Sequence, residues 1–307
     1  MTSEISSADH EPVDSKLASD SNNSTSVSVI IPVGGADDDL RYQLEALAAQ
    51  DYDARWELVI SLNTNSKAER TQLDKLLGLH DLAEVNVVDS SNVRSAAHAR
   101  NVGAEAAKGE YLMFCDGDDI ADRQWLSTMV KALGSHEVVG GHLDESLLEI
   151  DGQRDWRPPA TPGALPTFLG KPFLVSANMG LHRHHFERSG GFDTSLIRCE
   201  DIDFSWNLLE AGLELTYVPE AIIHYRHRRG LKSMMMQHYL YGRGFSQLLA
   251  TRSVPGEEKR TGLSSLKPNN QAVHKKTPVY YCRRGSIAAG RVVGLVEAHL
   301  GHRVKRG

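Results

Sequence analysis

Between Val27 and Gly140 the chain switches repeatedly between short β-rich runs and amphipathic stretches, and this alternation restricts the fold more than any other feature. VSVIIPV (27–33), WELVISL (56–62), VNVVD (85–89) and YLMFC (111–115) read as strands. Leu40, Leu44 and Leu47 recur at spacings of four and three, which predicts a helix over 38–50 with one apolar face. Further helices are predicted over 67–78, 95–107 and 122–134. Alternating βα units of this length predict an α/β fold with a mixed, mainly parallel sheet and helices on both faces. Ligands in such sheets collect at the carboxyl ends of the strands.

After residue 140 the pattern is less regular. RPPATPGALP (157–166) has the composition of a loop. FLVSANMGL (173–181) resembles a strand, HHFERSG (184–190) a short helix stopped by glycine, and residues 200–211 a longer helix. LELTYVP (213–219) and AIIHY (221–225) read as two short strands, followed by a helix over 231–249, a loop over 255–278 and a last helix over 284–304. Residues 1–26 are rich in Ser, Asp and Asn, with too few apolar groups to fold, and are read as a disordered tail. No apolar run approaches the ~18 residues of a membrane span, and no basic region followed by an apolar one opens the chain as in a secretory signal. The reading is cytoplasmic. Cys115, Cys199 and Cys282 lie far apart in no metal-site spacing, as expected of thiols in a reducing compartment.

The net charge of −6 conceals an asymmetry. Residues 1–223 hold 17 Lys+Arg and 37 Asp+Glu, whereas residues 224–307 hold 17 Lys+Arg and 3 Asp+Glu. A basic segment on an acidic body suits an anionic partner such as lipid headgroups, a phosphorylated acceptor or nucleic acid, or simply a well-solvated tail.

YLMFCDGDD (111–119) ends a predicted core strand on Asp116, Asp118 and Asp119. Carboxylates so crowded oppose one another's ionisation and require a counter-charge. Asp-x-Asp also occurs in surface turns. Here its place beyond a core strand favours a divalent cation held by Asp118 with Asp116, since Mg²⁺ and Mn²⁺ bind through a few carboxylates together with substrate phosphates. A second acidic group, CEDIDF (199–204), puts Glu200, Asp201 and Asp203 in the first turn of a helix, where the dipole favours ionised carboxylates. A rigid carboxylate beside a cleft can take a proton from a hydroxyl; helix capping is the alternative for Glu200 and Asp203. LHRHH (181–185) is dense in histidine, but His184 and His185 are adjacent and are expected to point apart.

VSVIIPV, SAAHARNVGAEAAKGEYLMFCDGDD, SANMGLHRHHFERSGGFD and CEDIDFSWNLLEAGLELTYVPEAIIHYRHR, in this order, resemble family 2 glycosyltransferases of the GT-A fold, a Rossmann-like architecture. The resemblance covers residues 27–228, leaving 229–307 as a basic helical extension with a flexible loop. It implies an inverting, nucleotide-sugar-dependent transferase using Mg²⁺ or Mn²⁺, acting on a glycan or lipid-linked acceptor in cell-envelope or exopolysaccharide synthesis. Peripheral contact with the inner face of a membrane goes with that reading, and no nucleic acid partner is expected. Carried over by position, Asp201 would be the base, Asp118 and Asp116 the metal ligands, and Asp116 also a contact of the donor ribose. His224 would approach the metal or diphosphate, Arg100 would lie near the nucleotide, and Pro32 and Val33 at the nucleobase. Gly34 and Gly35 stand where the family often has Tyr-Asn, and Leu62 and Asn63 where many members carry an Asp pair, so Asn63 or backbone groups would meet the base. Asn178 falls in a block that borders the sugar in relatives and is read either as polar lining or as structure. A sugar-nucleotide nucleotidyltransferase and a non-catalytic carbohydrate- or partner-binding relic are the other classes these residues allow. The acidic VGGADDDLR after the first strand disfavours the nucleotidyltransferase.

Overall fold

The computed structural model describes residues 26–82, 84–148, 153, 156–252 and 277–304. Residues 1–25 of the tail and 255–276 of the basic loop lie outside the described residues, as do residues 305–307. The four strands read at the start of the chain are present as β1 (Val27–Val33), β2 (Trp56–Leu62), β3 (Val85–Asp89) and β4 (Tyr111–Cys115). Between them run α1 (Asp38–Ala48), α2 (Lys67–Leu77) and α3 (Ala96–Ala106). The chain continues through β5 (Ile120–Ala121), α4 (Trp125–Leu133), β6 (Val138–Asp144) and a small hairpin of β7 (Thr167–Phe168) and β8 (Lys171–Pro172). After these come β9 (Asn178–His182), α5 (Arg183–Ser189), α6 (Glu200–Glu210), β10 (Thr216–His224), α7 (Leu231–Thr251) and α8 (Pro278–Val304).

Eight strands form one sheet in the order β3-β2-β1-β4-β9-β6-β10-β5. The β1–β2, β2–β3, β1–β4 and β6–β10 pairs are parallel. β9 runs antiparallel between β4 and β6, and β5 antiparallel to β10. One apolar layer joins the sheet to α1, α2 and α4 through Leu40, Leu44, Leu73 and Trp125. The opposite layer packs Ala97 and Ala104 of α3, Phe186 of α5 and Phe204 of α6. Because both faces are covered, β1 and β4 are apolar almost throughout rather than alternating.

The less regular second half departs from the sequence reading at definite places. β6 is absent from that reading, because Gly140 and Gly141 weaken the strand signal of VVGGHLD. Gly141 is required by space: a Cβ there would lie 2.2 Å from the Ala221 carbonyl oxygen and 2.4 Å from Asn178 Nδ2. The two strands expected over 213–225 are one, β10, with a register shift between Val218 and Ile222 around Pro219, which has no N–H to give the ladder. β9 begins only at Asn178, because residues 175–177 leave the sheet to line a cleft. α8 starts six residues before the expected helix, with Pro278 in its first turn, where a missing N–H is tolerated.

Asn178 joins this half of the sheet. Its Oδ1 accepts from Trp125 Nε1 at 2.9 Å, and its Nδ2 donates to the carbonyls of His142 and Ala221, both at 2.9 Å. Its side chain is therefore a structural tie between α4, β6 and β10. The strand order reverses at β1, since β2 and β3 lie on one side of it and β4 on the other. The carboxyl ends of β1 and β4 thus flank a crevice of the kind in which open α/β sheets hold ligands. Asn178→Ala strands three buried partners, and at about 1–3 kcal/mol for each unsatisfied group the unfolding free energy should fall by several kcal/mol. Urea denaturation measures this, and a loss below ~1 kcal/mol would remove the tie.

Candidate active site

A cleft of about 470 Å³ opens at that crevice. Pro32 and Val33 reach it from the end of β1, Asn63 from the end of β2, Arg100 from α3, Asp116 and Asp118 from beyond β4, and Asp201 from the start of α6. The structure thus gathers seven of the eight site residues read from sequence.

Arg100 ties the two acidic groups together. It is 4% exposed, and its guanidinium meets Asp116 Oδ1 at 2.6 Å and Glu200 Oε1 at 3.0 Å. Burial opposes its charge, but Asp116 and Glu200 outweigh that and raise its pKa. Glu200 is thereby held by a cation inside the protein. Asp203 faces elsewhere, its Oδ1 accepting from Arg252 Nε at 2.7 Å, so it anchors the end of α7. Between them stands Asp201. Burial first and the Glu200 charge second push its carboxyl up to about 7, with Arg100 pulling the other way. Cys199, just before this helix, has φ 69°, a left-handed conformation that costs a non-glycine residue on the order of 1 kcal/mol. The chain turns there and enters α6 without a side-chain cap.

The acidic loop after β4 is clamped from α1. Fully buried Gln43 donates to the Asp116 carbonyl at 3.0 Å and accepts from Ala121 N at 2.9 Å. Gln50 does the same one step along, to the Asp122 carbonyl at 2.8 Å and from Leu126 N at 2.9 Å. Asp116, Asp118 and Asp119 each present an oxygen within 4.8 Å of the others. Asp119 Oδ1 accepts from Arg226 N at 2.7 Å, whereas its Oδ2 is buried without a partner. Asp118 is exposed on the cleft wall, yet desolvation by the atoms around it, then Asp116, push it up to about 6; burial, then Asp118, hold Asp119 well above the usual carboxylate range. Asp118 lines the cleft and makes no ion pair among the described residues. Crowded, under-compensated oxygens of this kind fit a hard divalent cation such as Mg²⁺ or Mn²⁺.

His224 is not brought to the cleft. The β6–β10 register sets it beside Asp144, so Nδ1 lies 2.9 Å from Asp144 Oδ2, and Nε2 faces Asp122 at 3.9 Å. The residues after it, Tyr225, Arg226 and Arg228, line the cleft instead. Arg226 also ties the acidic loop, donating from Nε to the Asp118 carbonyl at 2.8 Å and lying 3.3 Å from Asp39. Asn63 commits its Nδ2 to the carbonyls of Ser90 and Val93, which leaves Oδ1 as its free acceptor among the described residues. A Cβ on Gly34 would meet nothing within 4 Å, so the cleft is open where an aromatic side chain would otherwise stand. His184 and His185 do not point apart: their ring centroids are 3.9 Å apart, with His185 Nε2 drawn to Glu137 at 2.7 Å. Sequence reasoning passed over Gln43, whose polar position inside the Leu40–Leu44–Leu47 stripe was the available signal. It also passed over Arg198, Arg228 and Tyr241, which line the cleft and carried no spacing signal.

A sequence model of the family described as "Glycosyl transferase family 2" matches residues 28–190. The chain is 25% identical over 243 residues to a pre-mycofactocin glycosyltransferase of Mycobacterium tuberculosis, a match covering 74% of this chain and 48% of that protein. It thus spans about half the length of that curated relative. It is 35% identical over 98 residues to the uncharacterized glycosyltransferase YibD of Escherichia coli, covering 32% of this chain and 27% of that one. Among solved structures, the fold matches the mannosyltransferase PcManGT from Pyrobaculum calidifontis, in complex with GDP-Man and Mn²⁺, with a TM-score of 0.59. That match has 18% identity and covers 91% of this chain and 79% of the other. It also matches Staphylococcus aureus TarS 1-349 in complex with UDP-GlcNAc, with a TM-score of 0.53, 17% identity and coverage of 88% and 90%. These likenesses establish the GT-A fold.

Arg100→Met removes the cation and leaves Glu200 buried and Asp116 partly buried without it, which should cost about 3–5 kcal/mol of stability. In any folded fraction Asp201 should titrate at a higher pH, because the Arg100 charge pulls its pKa down. Denaturation and a titration followed by ¹³C-carboxyl NMR read the two effects separately.

Proposed function

Because the chain belongs to glycosyl transferase family 2, we propose that it transfers a sugar from a nucleoside-diphosphate sugar to an acceptor hydroxyl, with inversion at the anomeric carbon. The observation that carries this reading is the shared cleft, which holds the crowded acids Asp116 and Asp118, the latter without an ion pair among the described residues, together with Asp201, a carboxyl poised near neutral pH. The donor would lie with its base at Pro32, Val33 and the free Oδ1 of Asn63, and with its diphosphate toward Asp118, Arg226 and Arg228. The two solved relatives, bound to a guanosine and a uridine sugar nucleotide, support a donor of this class.

Asp201 serves as general base. In one displacement the acceptor oxygen bonds to the anomeric carbon, the bond from that carbon to the diphosphate breaks, and the hydroxyl proton passes to Asp201. A carboxyl raised to about 7 is basic enough to take that proton and still ionised in about half of the molecules at neutral pH. Arg100 keeps Glu200 neutralised, so that Asp201 is not driven higher still. Asp118 and Asp116 would hold Mg²⁺ or Mn²⁺, which supplies Lewis-acid neutralisation of the departing diphosphate. Residues 27–228 are proposed to form the transferase unit, with α7 and α8 as an extension that closes one wall of the cleft through Gln237 and Tyr241. The acceptor is proposed to be a glycan or lipid-linked hydroxyl of cell-envelope or exopolysaccharide assembly, met at the inner face of a membrane.

Asp201→Asn should lower turnover about 10²–10⁴-fold, the usual contribution of general-base catalysis, while a nucleotide sugar still raises the melting temperature. Loss of donor binding together with turnover would instead make Asp201 structural. Since the base works deprotonated, kcat/KM of the native enzyme should rise with pH through an inflection near 7, and the residual rate of the variant should lack it. Manganese should raise the melting temperature further when a nucleoside diphosphate is present, and Asp118→Asn should abolish that increment; an unchanged increment places the ion elsewhere.

A further inference from the structure

Helix α8 is amphipathic the wrong way round for a helix packed in water. Tyr281, Val292, Leu295, Val296 and Leu300 are each half exposed or more, and from Val292 onward they recur at the spacings of one helix face. The face turned toward α7 carries Arg283, Ser286, Gly290, Arg291 and Gly294, all buried, with Ile287 the one large apolar side chain buried among them. A water-soluble helix places these sets the other way. The contact with α7 is made by missing side chains and polar links. A Cβ on Gly290 would lie 1.9 Å from the Tyr239 carbonyl oxygen, and one on Gly242 2.1 Å from that of Ile287. Arg243 pairs with Glu297 at 2.7 Å, and Ser246 Oγ donates to the Arg291 carbonyl at 3.0 Å. Close backbones joined through small residues are how helices associate where apolar burial cannot drive them together. The apolar side chains of α8 are left facing outward.

Size and charge select what meets them. The five side chains present roughly 500 Å², short of the ~800 Å² per partner of a standard protein interface. Two copies joined by this face would also bring together two segments of 17 Lys+Arg against 3 Asp+Glu. A sheet of anionic lipid suits both features, with apolar groups entering the acyl boundary and exposed basic groups such as Arg284 and Lys232 meeting phosphates. No described helix is long and apolar enough to cross a membrane, so α8 would lie along it. The acidic body, with 37 Asp+Glu against 17 Lys+Arg over residues 1–223, would be repelled and turned away. We propose that α8 docks flat on an anionic lipid surface through Tyr281, Val292, Leu295, Val296 and Leu300. Because α7 carries both the α8 contact and the cleft residues Gln237 and Tyr241, docking holds the cleft close to that surface. The proposal stands on the face of α8 and not on the catalytic reading.

Co-sedimentation of the full chain with phosphatidylcholine vesicles, with and without phosphatidylglycerol, tests it. The expected result is salt-sensitive binding to the anionic vesicles only, weakened at least tenfold by Val292→Asp with Val296→Asp. Val292→Ser with Val296→Ser, which adds no charge, should weaken it several-fold, and the melting temperature of each variant shows that it is folded. No binding to anionic vesicles overturns the proposal, and so does binding that both pairs leave unchanged. Light scattering that shows a dimer abolished by the same substitutions, without vesicle binding, overturns it in favour of a second copy. Nucleotide-sugar binding, followed separately by thermal shift, does not depend on any of these outcomes.

Discussion

Arg100 lies buried between two carboxylates from distant parts of the chain, Asp116 sixteen residues on and Glu200 a hundred residues on. A charge removed from water is tolerated only when its partners are in place. The pair of contacts therefore fixes the end of β4 and the start of α6 relative to α3. The remaining geometry of the cleft follows from this. Asp118 and Asp119 extend from the segment that Arg100 holds at one end, and Asp201 from the residue next to the one it holds at the other. One cation thus sets the spacing of the acidic groups and tempers the rise in the proton affinity of Asp201 that burial and Glu200 cause.

Buried polar side chains do for the backbone what Arg100 does for the charges. Gln43 on α1 and Gln50 just past its end each give and accept a hydrogen bond to the chain beyond β4. Asn178 makes three such bonds across α4, β6 and β10. A loop bearing several repelling carboxylates would otherwise spread apart. Held at both edges, it keeps oxygens close enough to share one ion. Rigid support behind a site of this kind lets binding energy act on the ligand rather than on ordering the protein.

Two parts of the chain face their surroundings in opposite ways. The body covers its sheet with apolar helix faces and exposes acids, whereas the last helix buries arginine and glycine and exposes valine, leucine and tyrosine. The difference lies in what each helix packs against. α1, α3 and α4 meet a continuous apolar sheet. α8 meets α7, whose Gly242 admits backbone and whose Arg243 and Ser246 ask for polar partners.

The sequence by itself determined the α/β class, the first four strands with their helices, and the positions of both acidic groups. Those signals are local: a strand or helix period, and carboxylates at the end of an apolar run. It placed Asp201 beside its acidic neighbours because Glu200, Asp201 and Asp203 share one turn. Only the tertiary structure decided which acid meets which cation, since Arg100 could have paired with any of them until α6 folded against α3. It likewise moved His224 onto Asp144, because strand register sets a residue's neighbours across the sheet and composition does not. Gly140 and Gly141 hid β6 for a related reason: the room they provide is needed by Leu174, Asn178 and Ala221, distant in sequence and adjacent only in the finished fold. The outward face of α8 was equally hidden, because a periodic stripe shows that a helix has two sides and not which of them its partner will take.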